Sequence, residues 1–238
     1  MIKELIQMYH LEGTIIDKAY QKTFGALHAK MHEKKVQTAM NAYGLEALDK
    51  IYQAVKANGS NIWFEYGTLL GAYREHGFIP YDYDIDLGMY ANQFTPELER
   101  ALFNEGFVIK RFFYKVVNQD PSERVMTELT LIYKNVSIDI FFYFVEDDNR
   151  IGFVYSALWG QEMLKKNILA PIKTTLPNSS IKEIDFLGIK FGIPSNTKQC
   201  LETLYGKTFM TPIKDASYTK KKECLPIEQA YGEMIGTW

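Results

Sequence analysis

The chain has 238 residues, 47% hydrophobic and 24% charged, the balance of a soluble globular protein with enough length for one sizeable core. Its formal net charge of −2 excludes the global positive field used by non-specific nucleic-acid binders, so no nucleic-acid partner is expected. No stretch approaches the ~20 apolar residues of a membrane-spanning helix.

Residues 1–43 read as helical, with mixed polar and apolar positions and no proline. Ile2, Leu5, Ile6, Tyr9 and Leu11 recur at roughly helical spacing. That suits a core-facing helix, with peripheral attachment to a membrane as the alternative. This opening lacks the unbroken apolar core of a signal peptide, so a cytoplasmic protein is expected. A clearer helix covers residues 45–57, where Leu45, Leu48, Ile51, Tyr52 and Val55 form one stripe. Asn58-Gly59 ends it, the glycine supplying a left-handed cap.

Residues 61–66 form a short buried strand, broken by Gly67-Thr68, and LLGAYREHG makes a short helix closed by Gly77. In YDYDIDLGMY the acids alternate with larger residues. Period two places Asp82, Asp84 and Asp86 on one face of a strand, with Ile85 and Leu87 on the other. Thr95 caps a helix that has Pro96 at its first position and Gly106 beyond its end. Strands follow over residues 107–114, 129–133 and 136–145, the last two joined by a Lys134-Asn135 turn. Residues 159–167 are predicted helical, and residues 181–186 and 190–193 form a hairpin. Ser195 or Asn196 caps a helix that ends near Tyr205-Gly206, and residues 211–238, with the Lys220–Lys222 run, read as irregular. Mixed strands with helices gathered toward the ends give an α+β class. The expected organisation is an N-terminal helical region (1–60) packed on a core (61–212), then a C-terminal tail (213–238).

Three features carry chemistry: a Gly67-Thr68 turn opening a helix, the alternating Asp82, Asp84 and Asp86, and Asp139 in VSIDIF. A small turn at a helix start leaves backbone N–H groups to meet phosphate oxygens. Asp84 and Asp86, two apart on a strand, can hold one hard cation such as Mg²⁺, which typically keeps one or two carboxylates plus substrate phosphates. An acid between Ile138 and Ile140 is costly unless something pairs with it, so Asp139 is expected to face the other two. There it would ligate the metal or accept the proton of an attacking hydroxyl. A calcium loop counted from Asp82 would put Leu87 at position six and Gln93 at position twelve, and that reading fails. Cys200 and Cys224 build no zinc framework or disulfide scaffold and are expected as idle thiols.

The block FEYGTLLGAYREHGFIPYDYDIDLGM resembles the signature of the LicD/fukutin-related phosphotransferases. The likeness continues in Ser137-Ile138-Asp139-Ile140-Phe141, in Phe191-Gly192-Ile193-Pro194 and in LETLYG followed by Phe209-Met210 and Pro212. The resemblance implies a nucleotidyltransferase-like mixed sheet flanked by helices. It also implies transfer of a phospho-alcohol, such as phosphocholine, ribitol phosphate or glycerol phosphate, from a CDP-linked donor to a sugar hydroxyl, with CMP leaving. By the same likeness, Asp84 and Asp86 match the metal-binding pair and Asp82 the acid before them. Gly67, Thr68 and Gly71 match the donor-phosphate turn, and Arg74 the basic residue after it. The cofactor implied is Mg²⁺ or Mn²⁺. The acceptor implied is a cell-surface glycan, lipid-linked or free, and a capsule-type polysaccharide, a teichoic-type polymer and a lipo-oligosaccharide are all compatible with the resemblance. Tyr81 and Tyr83 depart from the family's usual Trp and Asp without removing a presumed ligand. Nucleotidyl transfer and a non-catalytic glycan- or nucleotide-binding module are the alternatives.

Overall fold

The computed structural model describes residues 26–118, 120–156, 168–212, 223–225 and 229–236. A long helix α1 (Ala26–Ala57) leads into β1 (Ile62–Phe64), α2 (Tyr66–Arg74), β2 (Asp84–Tyr90) and α3 (Pro96–Asn104). Five strands follow: β3 (Val108–Val117), β4 (Arg124–Tyr133), β5 (Val136–Glu146), β6 (Asn149–Ser156) and β7 (Ile168–Pro177). The hairpin β8 (Ile181–Phe186) and β9 (Ile189–Pro194), the helix α4 (Thr197–Tyr205) and the strands β10 (Glu223–Cys224) and β11 (Ala230–Gly236) complete the chain. This is the mixed α+β class that the element order predicts.

Local chemistry explains most boundaries. Gly59, at φ +70°, ends α1 in the left-handed region, and its N–H reaches the Lys56 carbonyl at 3.0 Å. Thr95 caps α3 by accepting from the Leu98 N–H, and Glu97 and Glu99 in the first turn face the positive end of the helix dipole. Lys134 and Asn135 both take positive φ, the turn that joins β4 tightly to β5.

The strands β5, β4, β3, β11, β7 and β6 pair antiparallel in that order, and β6 returns to β5, so the six close on themselves. Beside this ring, β2 pairs parallel with β5, β1 adds antiparallel to β2, and β10 adds to β7. The main core lies on one face of β2, β5 and β4. Ile85, Leu87, Ile138, Ile140 and Leu129 are fully buried there with Leu48, Ile51 and Val55 of α1. Each such side chain contributes roughly 1.5–3 kcal/mol relative to exposure. The β8–β9 hairpin closes that core, Phe191 stacking on Phe64 with ring centroids 4.2 Å apart.

Several expectations need correction. The helix predicted over residues 45–57 begins at least as early as Ala26; the rest of the helical reading, residues 1–25, lies outside the described residues. Strands β6 and β7 were not anticipated, because Pro171 and Pro177 punctuate β7 and Gly152 interrupts β6. The helix predicted over residues 159–167 also lies outside the described residues. The C-terminal stretch is not all irregular, since β11 pairs with β3 over seven residues and also reaches β7. Its two glycines mask the strand pattern, yet Gly232 leaves the room that the Tyr155 ring occupies. Among the described residues, no helix is long and apolar enough to cross a membrane.

Candidate active site

Parallel pairing of β2 with β5 puts Asp86 opposite Asp139 and Asp84 opposite Ser137. Period two sends Asp84 and Asp86 to the face opposite Ile85 and Leu87. The outcome is three carboxylates, Asp84, Asp86 and Asp139, each offering an oxygen within 4.8 Å of the others. Strand β2 begins only at Asp84, so Asp82 belongs to the turn before it and not to the strand face. It still reaches the same place: a Cβ added to Gly67 would lie 2.6 Å from Asp82 Oδ2 and 3.2 Å from Asp86 Oδ2. A side chain at position 67 would have to displace the Asp82 carboxyl from its place over the turn.

The row continues across the sheet. Thr130 of β4 is the register partner of Asp139, and Arg111 of β3 is the partner of Thr130. Arg111 Nε donates to Thr130 Oγ1 at 3.0 Å, and that hydroxyl donates to Asp139 Oδ1. Asp86, Asp139, Thr130 and Arg111 therefore form one polar line over four strands. Sequence reading missed Thr130 and Arg111. The signal available was weak: polar residues at alternate positions of RVMTELTLIY, with no indication of which strand lay beside Asp139. Glu128, two residues before Thr130, is a further buried acid near the line.

The electrostatics follow from this crowding. Burial, then repulsion from Asp139 and Asp82, pushes the Asp84 carboxyl up to about 7. Burial, then Asp84, Asp139 and Asp82, holds Asp86 well above the usual carboxylate range, although the Gly67 N–H opposes this. Asp139 is raised by burial against the hydrogen bond from Thr130 and the charges of Arg111 and Lys110. Burial also raises Asp82, and burial followed by Asp139 raises Glu128 well above its ordinary value. Carboxylates crowded under this little solvent are relieved either by protons or by a bound cation. An all-oxygen donor set suits a hard divalent ion such as Mg²⁺ or Mn²⁺.

The Gly67–Thr68 turn is not the open nest that the sequence suggests. The Gly67 N–H donates to Asp86 Oδ2 at 3.0 Å, and Thr68 Oγ1 accepts from the Asp86 N–H at 2.9 Å. Both residues brace β2. Gly71 is buried, and a Cβ there would meet the Gly77 carbonyl at 2.6 Å, so it serves close packing of α2. Arg74 lines the site's cavity, but its Nε pairs with Glu75 at 2.7 Å and its Nη1 donates to the Phe209 carbonyl at 3.1 Å. Part of its fork is thus committed to holding the 206–212 segment against α2.

That cavity, about 570 Å³, opens beside the acids and is lined by Tyr66, Gly67, Tyr81, Asp82, Asp86 and the Thr174–Thr175 edge of β7, among others. A larger one of about 700 Å³ lies between α3 and the β3–β4 pair, walled by apolar side chains such as Phe103 and Leu131, and is lined by none of Asp82, Asp84, Asp86 and Asp139. Cys200 is a buried free thiol; the Cys224 side chain is outside the described residues.

Residues 59–196 match the family model described as LicD/FKTN/FKRP, nucleotidyltransferase domain. The chain belongs to the LicD/FKTN/FKRP family. The matched span contains every carboxylate of the cluster. Within the family the chain is 32% identical over 170 residues to the ribitol-5-phosphate transferase FKTN of Mus musculus, covering 71% of this chain and 33% of that protein. Against the FKTN of Homo sapiens it is 28% identical over the same length and shares. A short stretch of 36 residues is 53% identical to the ribitol 5-phosphate transferase FKRP of Homo sapiens, 15% of this chain and 7% of the relative. The chain thus spans about a third of the length of its FKTN relatives.

Proposed function

We propose that this chain is a divalent-metal-dependent phosphotransferase with a nucleotidyltransferase-like core. It would move a phospho-alcohol from a CDP-linked donor to a sugar hydroxyl of a glycan and release CMP. The observation that carries the reading is the convergence of Asp84, Asp86 and Asp139 beside a cavity of substrate size. Family membership, and relatives whose names specify ribitol 5-phosphate transfer, support the phospho-alcohol and favour ribitol phosphate over phosphocholine or glycerol phosphate.

In this reading Asp84, Asp86 and Asp139 hold Mg²⁺ or Mn²⁺, which when bound neutralises phosphate charge and orients the donor. Thr130 and Arg111 fix the Asp139 carboxyl and temper the negative potential behind it. Asp82 lines the cavity and Asp139 does not, so Asp82 is the better placed of the two to take the acceptor's proton. Burial raises its carboxyl above the ordinary aspartate range, which makes it a stronger base than a free aspartate. Arg74 and Lys173, both on the cavity wall, supply positive charge for the donor's diphosphate. Tyr66 and Tyr81, with Thr174 and Thr175, offer hydroxyl partners for a polyol or ribose.

The test is turnover of CDP-ribitol, CDP-glycerol and CDP-choline with a glycan acceptor and Mg²⁺, with nucleotide products separated. CMP release that disappears in Asp86→Ala supports the proposal. Pyrophosphate release from a nucleoside triphosphate would replace it with nucleotidyl transfer. Folded protein with no Mg²⁺-dependent donor affinity would leave a binding module.

A further inference from the structure

Behind the turn that presents Gly67 lies a buried ion pair that the proposed chemistry does not touch. Glu65 and Arg150 have fully buried side chains, and Arg150 Nη2 meets Glu65 Oε2 at 3.0 Å. The same oxygen accepts from Trp63 Nε1 at 2.8 Å. The guanidinium lies over the rings of Trp63 and Tyr143, 5.3 and 5.2 Å from their centroids, and Nη2 also approaches Cys200 Sγ at 3.6 Å. Arg150 of β6 thus ties together β1, β5 and α4.

Two independent observations say that this pair serves geometry more than stability. First, it is incompletely satisfied: Glu65 Oε1, Arg150 Nε and Arg150 Nη1 are buried without hydrogen-bond partners among the described residues. A buried pair in that state is a weak stabiliser, and apolar residues of like volume would serve the fold as well. Second, the residue after Glu65 is strained. Tyr66 takes φ +39°, a left-handed conformation costing ~1–2 kcal/mol in a non-glycine residue. Such strain persists only where the surroundings over-determine the backbone. Here Glu65 is pinned on one side by Arg150 and Trp63. On the other, the Tyr66 ring packs edge-on against Phe141 at 4.7 Å, and its hydroxyl meets those of Tyr143 and Thr174 at 3.4 and 3.5 Å. The strained peptide delivers the Gly67 N–H to Asp86 Oδ2, while the Glu65 N–H holds the Asp86 carbonyl at 3.0 Å.

We propose that Glu65 and Arg150 are positioning residues: their buried pair locks the strand-to-helix turn so that the Gly67 amide aims the Asp86 carboxylate at Asp84 and Asp139. Its consequence for metal affinity rests on the metal-site reading above, whereas its consequence for the Gly67 amide does not.

The experiment compares wild type, Glu65→Gln and the double variant Glu65→Gln/Arg150→Met, reading thermal midpoint, amide exchange in metal-free protein and Mg²⁺ affinity by calorimetry. Glu65→Gln leaves a buried guanidinium uncompensated and should lower the midpoint; the double variant should recover most of that loss. The positioning role predicts that in the double variant the Gly67 amide still exchanges at least tenfold faster than in wild type, with core amides such as Ile138 unchanged. Mg²⁺ affinity should be at least fivefold weaker. A double variant matching wild type in Gly67 exchange and in Mg²⁺ affinity overturns the proposal. If neither variant folds, Trp63→Phe decides, because it keeps both charges and removes one hydrogen bond to Glu65: a faster Gly67 amide supports the lock and an unchanged one refutes it. Should wild type bind no Mg²⁺, the metal-site reading fails while the exchange result still judges the pair.

Discussion

Replacing Asp84 by Asn should stabilise the metal-free protein while removing its response to metal. Burial and the neighbouring Asp139 and Asp82 raise the Asp84 carboxyl from 3.8 to about 7. A group raised in the folded state contributes stability that is complete below its unfolded pKa and is lost as pH climbs through the folded one. At pH 8 the difference of about three pH units corresponds to roughly 4 kcal/mol of folded-state penalty, at about 1.4 kcal/mol per unit. Asp84 is only partly covered, and water entry reduces that to about 2 kcal/mol, or roughly 4–8 °C of midpoint for a chain of this size. The assay is thermal unfolding after chelation, at pH 8 and pH 5, with and without Mg²⁺. Asp84→Asn should melt higher than wild type at pH 8, with the gap shrinking toward pH 5. Saturating Mg²⁺ at about a hundred times its Kd should raise wild type by about 2.7 kcal/mol and the variant by little. If Asp84→Asn is destabilised without metal and still gains the full Mg²⁺ increment, the carboxylates do not share one ion.

The same raised carboxyls must lose protons when a cation binds, so Mg²⁺ affinity should climb between pH 6 and 8 and binding should release protons, measurable as a buffer-dependent calorimetric enthalpy. A pH-independent affinity would contradict the cluster's assignment. Gly67→Ala places a methyl 2.6 Å from Asp82 Oδ2, and should reduce transfer at least a hundredfold with the fold intact by circular dichroism; near-normal turnover would show that Asp82 and Asp86 need not converge there. Thr130→Val removes the hydroxyl that links Arg111 to Asp139, which should cost about 1–3 kcal/mol of stability and move the pH midpoint of Mg²⁺ binding upward. An unshifted midpoint would mean that Thr130 does not hold the Asp139 carboxyl.

Short-range signals were legible because local chemistry generates them. Asn58-Gly59, Thr95-Pro96 and Lys134-Asn135 ended or joined elements where their backbone preferences require. The period of two in DIDLG set Asp84 and Asp86 on the face away from the core, and the signature block was sufficient to place the chain in its family. What the residues could not supply was adjacency. That Asp139 lies opposite Asp86, that Thr130 and Arg111 extend the line, and that Arg150 reaches Glu65 are consequences of strand order, with partners 9 to 85 residues apart in sequence. Strand β11 shows the same thing: AYGEMIG is a poor strand by pattern and becomes one because β3 and β7 present unpaired edges on either side of it. Sequence alone determined which side chains face away from the core and which chemistry they are suited to. Tertiary structure decided which of them meet, because register and burial turn separate carboxylates into one charged site.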